Sequence, residues 1–503
     1  MEEARPVLPL KQALLVLLLT VAANGVQCFP EKKVLSFQEW QWKQEGYTSS
    51  CLSQKSRSVT PFMLYGKQPS LVSLSIPLTL LEWEKGATIL EMKHRDSCSG
   101  KITDWNKKLQ ESLILDKFRV QSLQSRIKKI VYDNVIDSVD SQVPLVSGVR
   151  LQTLNYIVTV GLGGRNMTVI VDTGSDLTWV QCQPCNLCYN QQGPLFNPSM
   201  SSSYQKVLCN SSTCQSLEFA TGNSGVCGSN PPTCNYVVNY GDGSYTRGEL
   251  GTEQLNLGTT LVNNFIFGCG RNNKGLFGGA SGLMGLGRSD LSLISQSSAI
   301  FGGVFSYCLP NTAAEDSGSL ILGGNFSVYK NTTPISYTKM IPNPQLPTFY
   351  FLNLTGVSVG GVALQSPSFG QSGILIDSGT VITRLPPSVY RILKAEFLKQ
   401  FSGFPSAPPF SILDACFNLS GYQEVDIPTV KLQFEGNAEL NVDVTGIFYF
   451  VKTDASQVCL ALASLSFEDE IPILGNYQQR NQRVIYNTKE FKLGFAAEIC
   501  SFN

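Results

Sequence analysis

The sequence predicts a mainly β protein of two related β-rich lobes, preceded by an N-terminal segment of different texture. Three observations carry that reading. Short runs of alternating apolar and polar residues are common, as in 155–162 (NYIVTVGL) and 167–174 (MTVIVDTG), while long amphipathic helices are scarce. Glycine is frequent, with 44 among 503 residues, enough to punctuate many turns. A strand-and-turn motif occurs twice, first as Ile170-Val171-Asp172-Thr173-Gly174-Ser175 and again as Leu375-Ile376-Asp377-Ser378-Gly379-Thr380.

Residues 1–25 read as a signal peptide. Arg5 and Lys11 precede an apolar run, Ala13–Ala23, and small residues follow at Ala22, Ala23 and Gly25. The run is too short to span a bilayer. Glu2 and Glu3 argue against a transit peptide, and no hydrophobic tail follows Cys500, which argues against a lipid-anchor signal. Residues 26–141 are expected to form a separate segment, here read as a propeptide. It is rich in Lys and Glu and holds one clear helical pattern, 104–132, with Leu109, Leu113, Leu115, Phe118, Val120, Leu123, Ile127 and Ile130 as its apolar stripe. Residues 133–154 are more polar, carry Pro144 and Gly148, and read as a processing linker.

The first lobe is expected over 142–335 and the second over 336–503, with the boundary near 336–348. Each Asp motif is followed downstream by two apolar residues and a glycine, Leu283-Met284-Gly285 and Ile473-Leu474-Gly475. One lobe design used twice accounts for both echoes. Lys plus Arg exceed Asp plus Glu by 19 to 15 before position 142, and the order reverses to 19 against 23 after it, so the chain is neutral overall. No basic stripe points to nucleic acid. The mild asymmetry fits either chance or a basic segment covering an acidic remainder.

Of 15 cysteines, twelve follow the linker: Cys182, Cys185, Cys188, Cys209, Cys214, Cys227, Cys234, Cys269, Cys308, Cys416, Cys459 and Cys500. An even dozen behind a signal peptide implies six disulfides of unspecified pairing. The spacing of Cys182, Cys185 and Cys188 also suits zinc, but the chain's single histidine, His94, lies elsewhere, and a stapled loop is the better reading. No metal or cofactor is expected. Six sequons, at Asn166, Asn210, Asn325, Asn331, Asn353 and Asn418, agree with a secretory route.

The Asp motifs carry the chemistry. An apolar strand delivers each carboxylate to its end, glycine permits a tight turn beside it, and the following hydroxyl can orient it. A lone Asp-x-Gly is a common turn. Two copies in matching contexts are far more specific. If the two loops meet, like charges at close range cannot both ionise, so the pair shares one proton and titrates in coupled steps. A general base and a general acid then stand in one site: one carboxylate draws a proton from water while its protonated partner bonds a scissile carbonyl.

With these motifs the stretch from about 155 to 500 resembles pepsin-type aspartic peptidases, specifically the plant nepenthesin-like group, whose shared proton is long established. The resemblance implies a bilobal pepsin-like acid protease fold with Asp172 and Asp377 as the catalytic pair. It implies that Thr173 and Ser378 brace the loops, that Ser175 and Thr380 orient the carboxylates, and that Gly174 and Gly379 form the turns. It also implies a flap over the substrate in 239–244, with Tyr240 at its base, Gly241, Asp242 and Gly243 at its tip, and Trp179 as the partner of Tyr240. The cysteine-rich stretch 182–234 suits this group, serving either stability or access to the cleft. The segment before the linker resembles an inhibitory propeptide whose cations neutralise the carboxylates until acid releases them; a folding aid is the other reading. The expected protein is a monomeric endopeptidase acting on polypeptides, secreted to the extracellular space or cell wall, or else vacuolar, with no membrane anchor. The rival is a catalytically inert member of the same scaffold, like the plant xylanase inhibitors. Both Asp loops and the flap tyrosine are intact here, which favours the enzyme.

Overall fold

In the computed structural model the described residues are 31–36, 54–59, 87–94, 105–133 and 156–500, less 230–231, 241–242, 276, 312–316, 325–327, 330–331, 345 and 371–372. The expected signal peptide, nearly all of the linker, Gly241, Asp242, Asn325 and Asn331 lie outside them. The chain is mostly strand, as the alternation predicts. Gly163 and Gly164, both at positive φ (53° and 75°), turn Tyr156–Leu162 back onto Arg165–Asp172. Glycine adopts two such residues in succession without strain, and the turn pairs Leu162 with Arg165. Val169 and Val171 are buried along the second strand, which ends at Asp172.

The two echoes explain each other in space. Arg165–Asp172 lies parallel to Gly282–Gly285, with Asp172 opposite Gly285. In the second lobe Ile374–Ile376 lies parallel to Ile473–Leu474. The glycine closing each downstream echo is a close-approach residue. A Cβ at Gly285 would stand 2.2 Å from the carbonyl oxygen of Asp176, and one at Gly475 would stand 2.4 Å from that of Val381. Those carbonyls belong to the fourth residue after each Asp, so both lobes hold their loops by the same contact.

A six-stranded antiparallel platform joins the halves. Its order is Ala87–His94, Gly318–Gly323, Val304–Cys308, Gln482–Asn487, Lys492–Ala497 and Ser336–Ile341. The segment ahead of the linker thus supplies an inner strand, with Leu90 and Met92 fully buried, and this strand also pairs with Tyr156–Leu162. A second short strand of that segment, Lys32–Ser36, pairs with Glu424–Pro428 of the second lobe.

Helix α1 (Trp105–Asp133) matches the expected helix within one residue at each end. Its packing corrects the expected stripe. Leu109, Leu113, Leu115, Val120 and Leu123 are buried, whereas Phe118 is exposed; the side chains of Ile127 and Ile130 are outside the described residues. The helix lies in a cleft rather than on a flat sheet, so its buried surface is broad and includes Ser112, Asp116 and Gln124. Phe118 falls on the remaining open side. Leu109 and Leu113 pack with Val381 and Ile382, while Val120 and Leu123 pack with Leu346, Phe349 and Leu375. No helix among the described residues is long and apolar enough to cross a membrane.

All twelve cysteines singled out in the sequence are paired: Cys182–Cys269, Cys185–Cys188, Cys209–Cys227, Cys214–Cys234, Cys308–Cys500 and Cys416–Cys459. The three cysteines of zinc-like spacing are consumed in two of these bridges. Cys308–Cys500 closes the longest loop, 192 residues, and ties the end of the chain to the platform. Replacing both partners, Cys308→Ser with Cys500→Ser, is expected to lower unfolding free energy by about 2–4 kcal/mol, read as a lower denaturant midpoint. An unchanged midpoint would show that the platform holds the terminus without the bridge.

Candidate active site

The two Asp loops meet at the lobe interface in near mirror fashion. In the first, the Gly174 amide donates to Asp172 Oδ1 at 3.1 Å and the Ser175 hydroxyl to Oδ2 at 2.6 Å. In the second, the Gly379 amide donates to Asp377 Oδ1 at 2.9 Å and the Thr380 hydroxyl to Oδ2 at 2.6 Å. The loops are bound to one another reciprocally: the Thr173 amide donates to Ser378 Oγ at 3.1 Å, and the Ser378 amide donates to Thr173 Oγ1 at 2.9 Å. Each turn glycine faces the opposite carboxylate, so that a Cβ on Gly174 would lie 2.7 Å from Asp377 Oδ1 and one on Gly379 would lie 2.4 Å from Asp172 Oδ1. Asn476 supports the second loop from behind through the carbonyl of Ser378. Both carboxylates are buried.

Arg119 of α1 stands between them. Its Nη2 donates to Asp172 Oδ1 at 2.8 Å and to Asp377 Oδ1 at 3.0 Å, and its Nε donates to Asp377 Oδ2 at 3.0 Å. One guanidinium nitrogen therefore touches both carboxylates. Burial pushes the Asp377 carboxyl above its ordinary value; Arg119 pulls it down and the Asp172 charge pushes it up again. Burial disfavours the charged Arg119, but the two carboxylates outweigh it and raise its pKa. Taking one partner from such a buried charge cluster costs about 3–5 kcal/mol, because the remainder is left uncompensated.

The helix is held on both sides of Arg119. One turn earlier, Asp116 accepts from the amides of Val381 (2.5 Å) and Ile382 (3.2 Å) and pairs with Arg384 at 2.7 Å. Further along, Gln124 exchanges two hydrogen bonds with the backbone of Ile471, at 2.6 and 3.0 Å, as a strand partner would.

On the first lobe, Cys234–Asn239 and Tyr245–Leu257 form a hairpin over the cleft. The Trp179 indole N–H donates to the Tyr240 hydroxyl at 2.7 Å, joining the two aromatics expected to pair. Phe277 packs edge-on against both rings, at centroid distances of 4.8 and 5.7 Å. Gly243 has φ 80° and open space around it, as a hairpin tip requires. The cysteine-rich stretch backs this hairpin. Helix α2 (Ser212–Thr221), capped by the Ser211 hydroxyl at Cys214 and by Gly222 at positive φ, is stapled through Cys214 to Cys234 at the start of the first hairpin strand. Asn166 and Asn210 are exposed, whereas the amides of Asn353 and Asn418 are partly buried and bonded to Glu435 and Ser420.

Arg119, Asp116, Arg384, Gln124 and Phe277 were not singled out in the sequence. A signal existed for the first two. Asp116, Arg119 and Leu123 recur at helical spacing, placing two charges on a face otherwise built for burial. Arg384 had one too, since it follows Asp377 by the same seven positions as Trp179 follows Asp172. Gln124 and Phe277 had none.

Residues 156–324 match the family described as xylanase inhibitor N-terminal, and residues 349–497 match the one described as xylanase inhibitor C-terminal. An aspartyl protease family protein of Arabidopsis thaliana is 45% identical over 78% of this chain and 82% of its own length. The aspartic proteinase nepenthesin-1 of Nepenthes gracilis is 37% identical over 68% and 77%. Among solved structures, soybean basic 7S globulin aligns at TM-score 0.54 and 20% identity, covering 70% of this chain and 95% of that one, a likeness that bears on the fold alone. The chain belongs to the plant nepenthesin-like aspartic protease family, with the bilobal pepsin-like fold.

Replacing Tyr240 by Phe leaves the buried Trp179 N–H without its acceptor. The Tyr240→Phe variant is expected to lose about 1–3 kcal/mol of stability in denaturant unfolding followed by tryptophan fluorescence. A midpoint equal to that of the parent would remove this bond from the account.

Proposed function

We propose that the chain is an aspartic endopeptidase made as a zymogen, with Asp172 and Asp377 as its catalytic pair and α1 as the inhibitory plug. The observation that carries this reading is the pair of mirrored Asp loops locked together around one cation. The family membership supports it, and so does the intact set of hydroxyls, turn glycines and flap aromatics. The inhibitor in the family description and the globulin among the solved structures share the scaffold, but a scaffold does not decide activity.

Once α1 leaves, a water takes the place of the guanidinium between the carboxylates. One carboxylate, ionised, removes its proton; the other, protonated, hydrogen-bonds the scissile carbonyl and stabilises the developing oxyanion. The tetrahedral intermediate collapses as the amine nitrogen takes a proton, which returns the pair to its shared-proton state. Tyr240 and the hairpin close over the bound polypeptide and exclude bulk water. Substrate enters as an extended strand along the cleft now filled by α1.

The pH dependence follows from Arg119. The docked helix favours ionised carboxylates, so the docked state holds fewer protons than the released one, and docking weakens as pH falls. Because burial already holds Asp377 above the ordinary carboxylate value, that weakening begins above the usual carboxylate range. The strand Ala87–His94 and the bonds of Asp116 and Gln124 must give way as well. Six disulfides suit an oxidising compartment, and the proposed route is secretion to the cell wall or vacuole, with the exposed Asn166 and Asn210 as the sequons open to glycosylation.

Acid-processed protein incubated with denatured globin from pH 2 to 8 is expected to cleave it below neutrality, with pepstatin blocking the cleavage. Asp172→Asn or Asp377→Asn should reduce turnover by about a thousandfold or more while the circular dichroism spectrum stays that of the parent. Substantial pepstatin-sensitive cleavage by either variant would end the assignment. In the unprocessed chain, Arg119→Gln removes the cation that favours the ionised pair. The pH of half-maximal activation should then rise by about one unit or more. An unmoved activation profile would show that α1 blocks the cleft by bulk alone.

A further inference from the structure

The second lobe holds a cation that the proposed catalytic cycle leaves unused. Arg384 follows Asp377 by seven residues, as Trp179 follows Asp172, and both side chains are buried. Trp179 turns to the flap; Arg384 turns to the cleft. Its Nη1 donates to the carbonyl of Ile382 at 3.0 Å, and its Nη2 donates to Asp116 at 2.7 Å. The amides of Val381 and Ile382 point at the same carboxylate. Three donors, one of them a guanidinium 3% exposed, thus converge on two carboxylate oxygens in the manner of an anion pocket.

Asp116 is the only acidic partner of Arg384 among the described residues, and it arrives on α1. The other titratable group facing Arg384 is Tyr390, from helix α3 (Pro387–Gln400), whose hydroxyl is committed to Asp414. When α1 leaves, the Arg384 guanidinium keeps its bond to the Ile382 carbonyl, but its Nη2 and the two amides lose their common acceptor and are left facing the cleft. A fixed cation flanked by two converging amides favours a carboxylate in that place, through charge-assisted hydrogen bonds.

We propose that Val381, Ile382 and Arg384 form a carboxylate-binding subsite of the cleft, filled by Asp116 while α1 is docked and by an Asp or Glu side chain of the polypeptide substrate afterwards. The proposal rests on the peptidase reading and adds a substrate preference to it. Asp116 lies three residues from Arg119, or about 4.5 Å along the helix axis. An extended peptide advances about 3.3 Å per residue. The recognised acidic residue therefore sits one or two positions from the bond cleaved. The same geometry gives Asp116 a second role, as the pocket's internal stand-in for substrate.

The test uses acid-processed full-length protein and a set of quenched fluorescent peptides sharing one cleavable bond. A single Glu, or its isostere Gln, is placed in turn at each of the three positions on either side. At one position within two residues of the bond, Glu is expected to exceed Gln by about tenfold or more in kcat/KM at pH 5. The ratio should shrink towards one at pH 3, where the substrate carboxyl is protonated and cannot act as an anion. Arg384→Gln should bring the ratio near one at every pH, and Arg384→Lys should keep part of it. A Glu/Gln ratio near one at all positions in the parent protein would overturn the subsite while leaving the peptidase reading standing, and so would a preference that survives in Arg384→Gln. If Glu and Gln peptides alike go uncut, the peptidase reading falls and takes this subsite with it.

Discussion

The reciprocal bonds between Thr173 and Ser378 impose the constraint on which the site depends. They are buried and reciprocal, and they hold two loops so close that two carboxylates face one another. Such a pair is electrostatically unfavourable by itself. The rest of the centre is compensation for it. Backbone amides and hydroxyls bond each carboxylate from its own side, and Arg119 bonds both from the cleft. The turn glycines are needed because a methyl group there would collide with the opposite carboxylate. The glycines of the downstream echoes are needed because the strands that carry the loops lie against their neighbours at backbone distance.

The two lobes share that design but diverge where they meet the cleft. Seven residues beyond its Asp, the first lobe places an indole that bonds Tyr240 beside the hairpin, and the second places a guanidinium that bonds Asp116 of α1. Helix α1 uses both kinds of feature. It runs beneath the hairpin, leaving a pocket lined by Arg119, Leu123, Asp172 and Tyr240, and presents Arg119 to the carboxylates, Asp116 to Arg384 and Gln124 to the backbone of Ile471. Each of its three polar anchors is matched to a group of opposite character in the cleft wall.

The strands near Asp172 and Asp377, the carboxylate pair and the extent of α1 were legible because each leaves a local trace, while the bond between Trp179 and Tyr240 was expected from the family resemblance. Alternation marks a strand end, glycine marks a tight turn, and a duplicated motif marks a duplicated lobe. The expected single stripe on α1 failed at Phe118 for a physical reason. Periodicity assumes one buried face, and a helix wedged into a cleft has more than one. No local pattern announced that the bridge from Cys214 to Cys234 sets α2 behind the hairpin.

By itself, the sequence determined that two acidic loops of one design exist, that twelve cysteines follow the linker, and that a basic, helix-bearing segment comes first. Its local chemistry was sufficient for that, since turn propensity, periodicity and residue type act over a few positions. Only the tertiary structure decided which cysteines pair, which of the segment's 17 cations meets the carboxylates, and that Asp116 and Arg384 share a pocket. Those outcomes depend on contacts between residues distant in the chain, as between Cys308 and Cys500, 192 positions apart, or Arg119 and Asp377, with 258 between their numbers. No local rule reaches that far, because the energy of a charge depends on what has been packed around it and not on its neighbours in the chain.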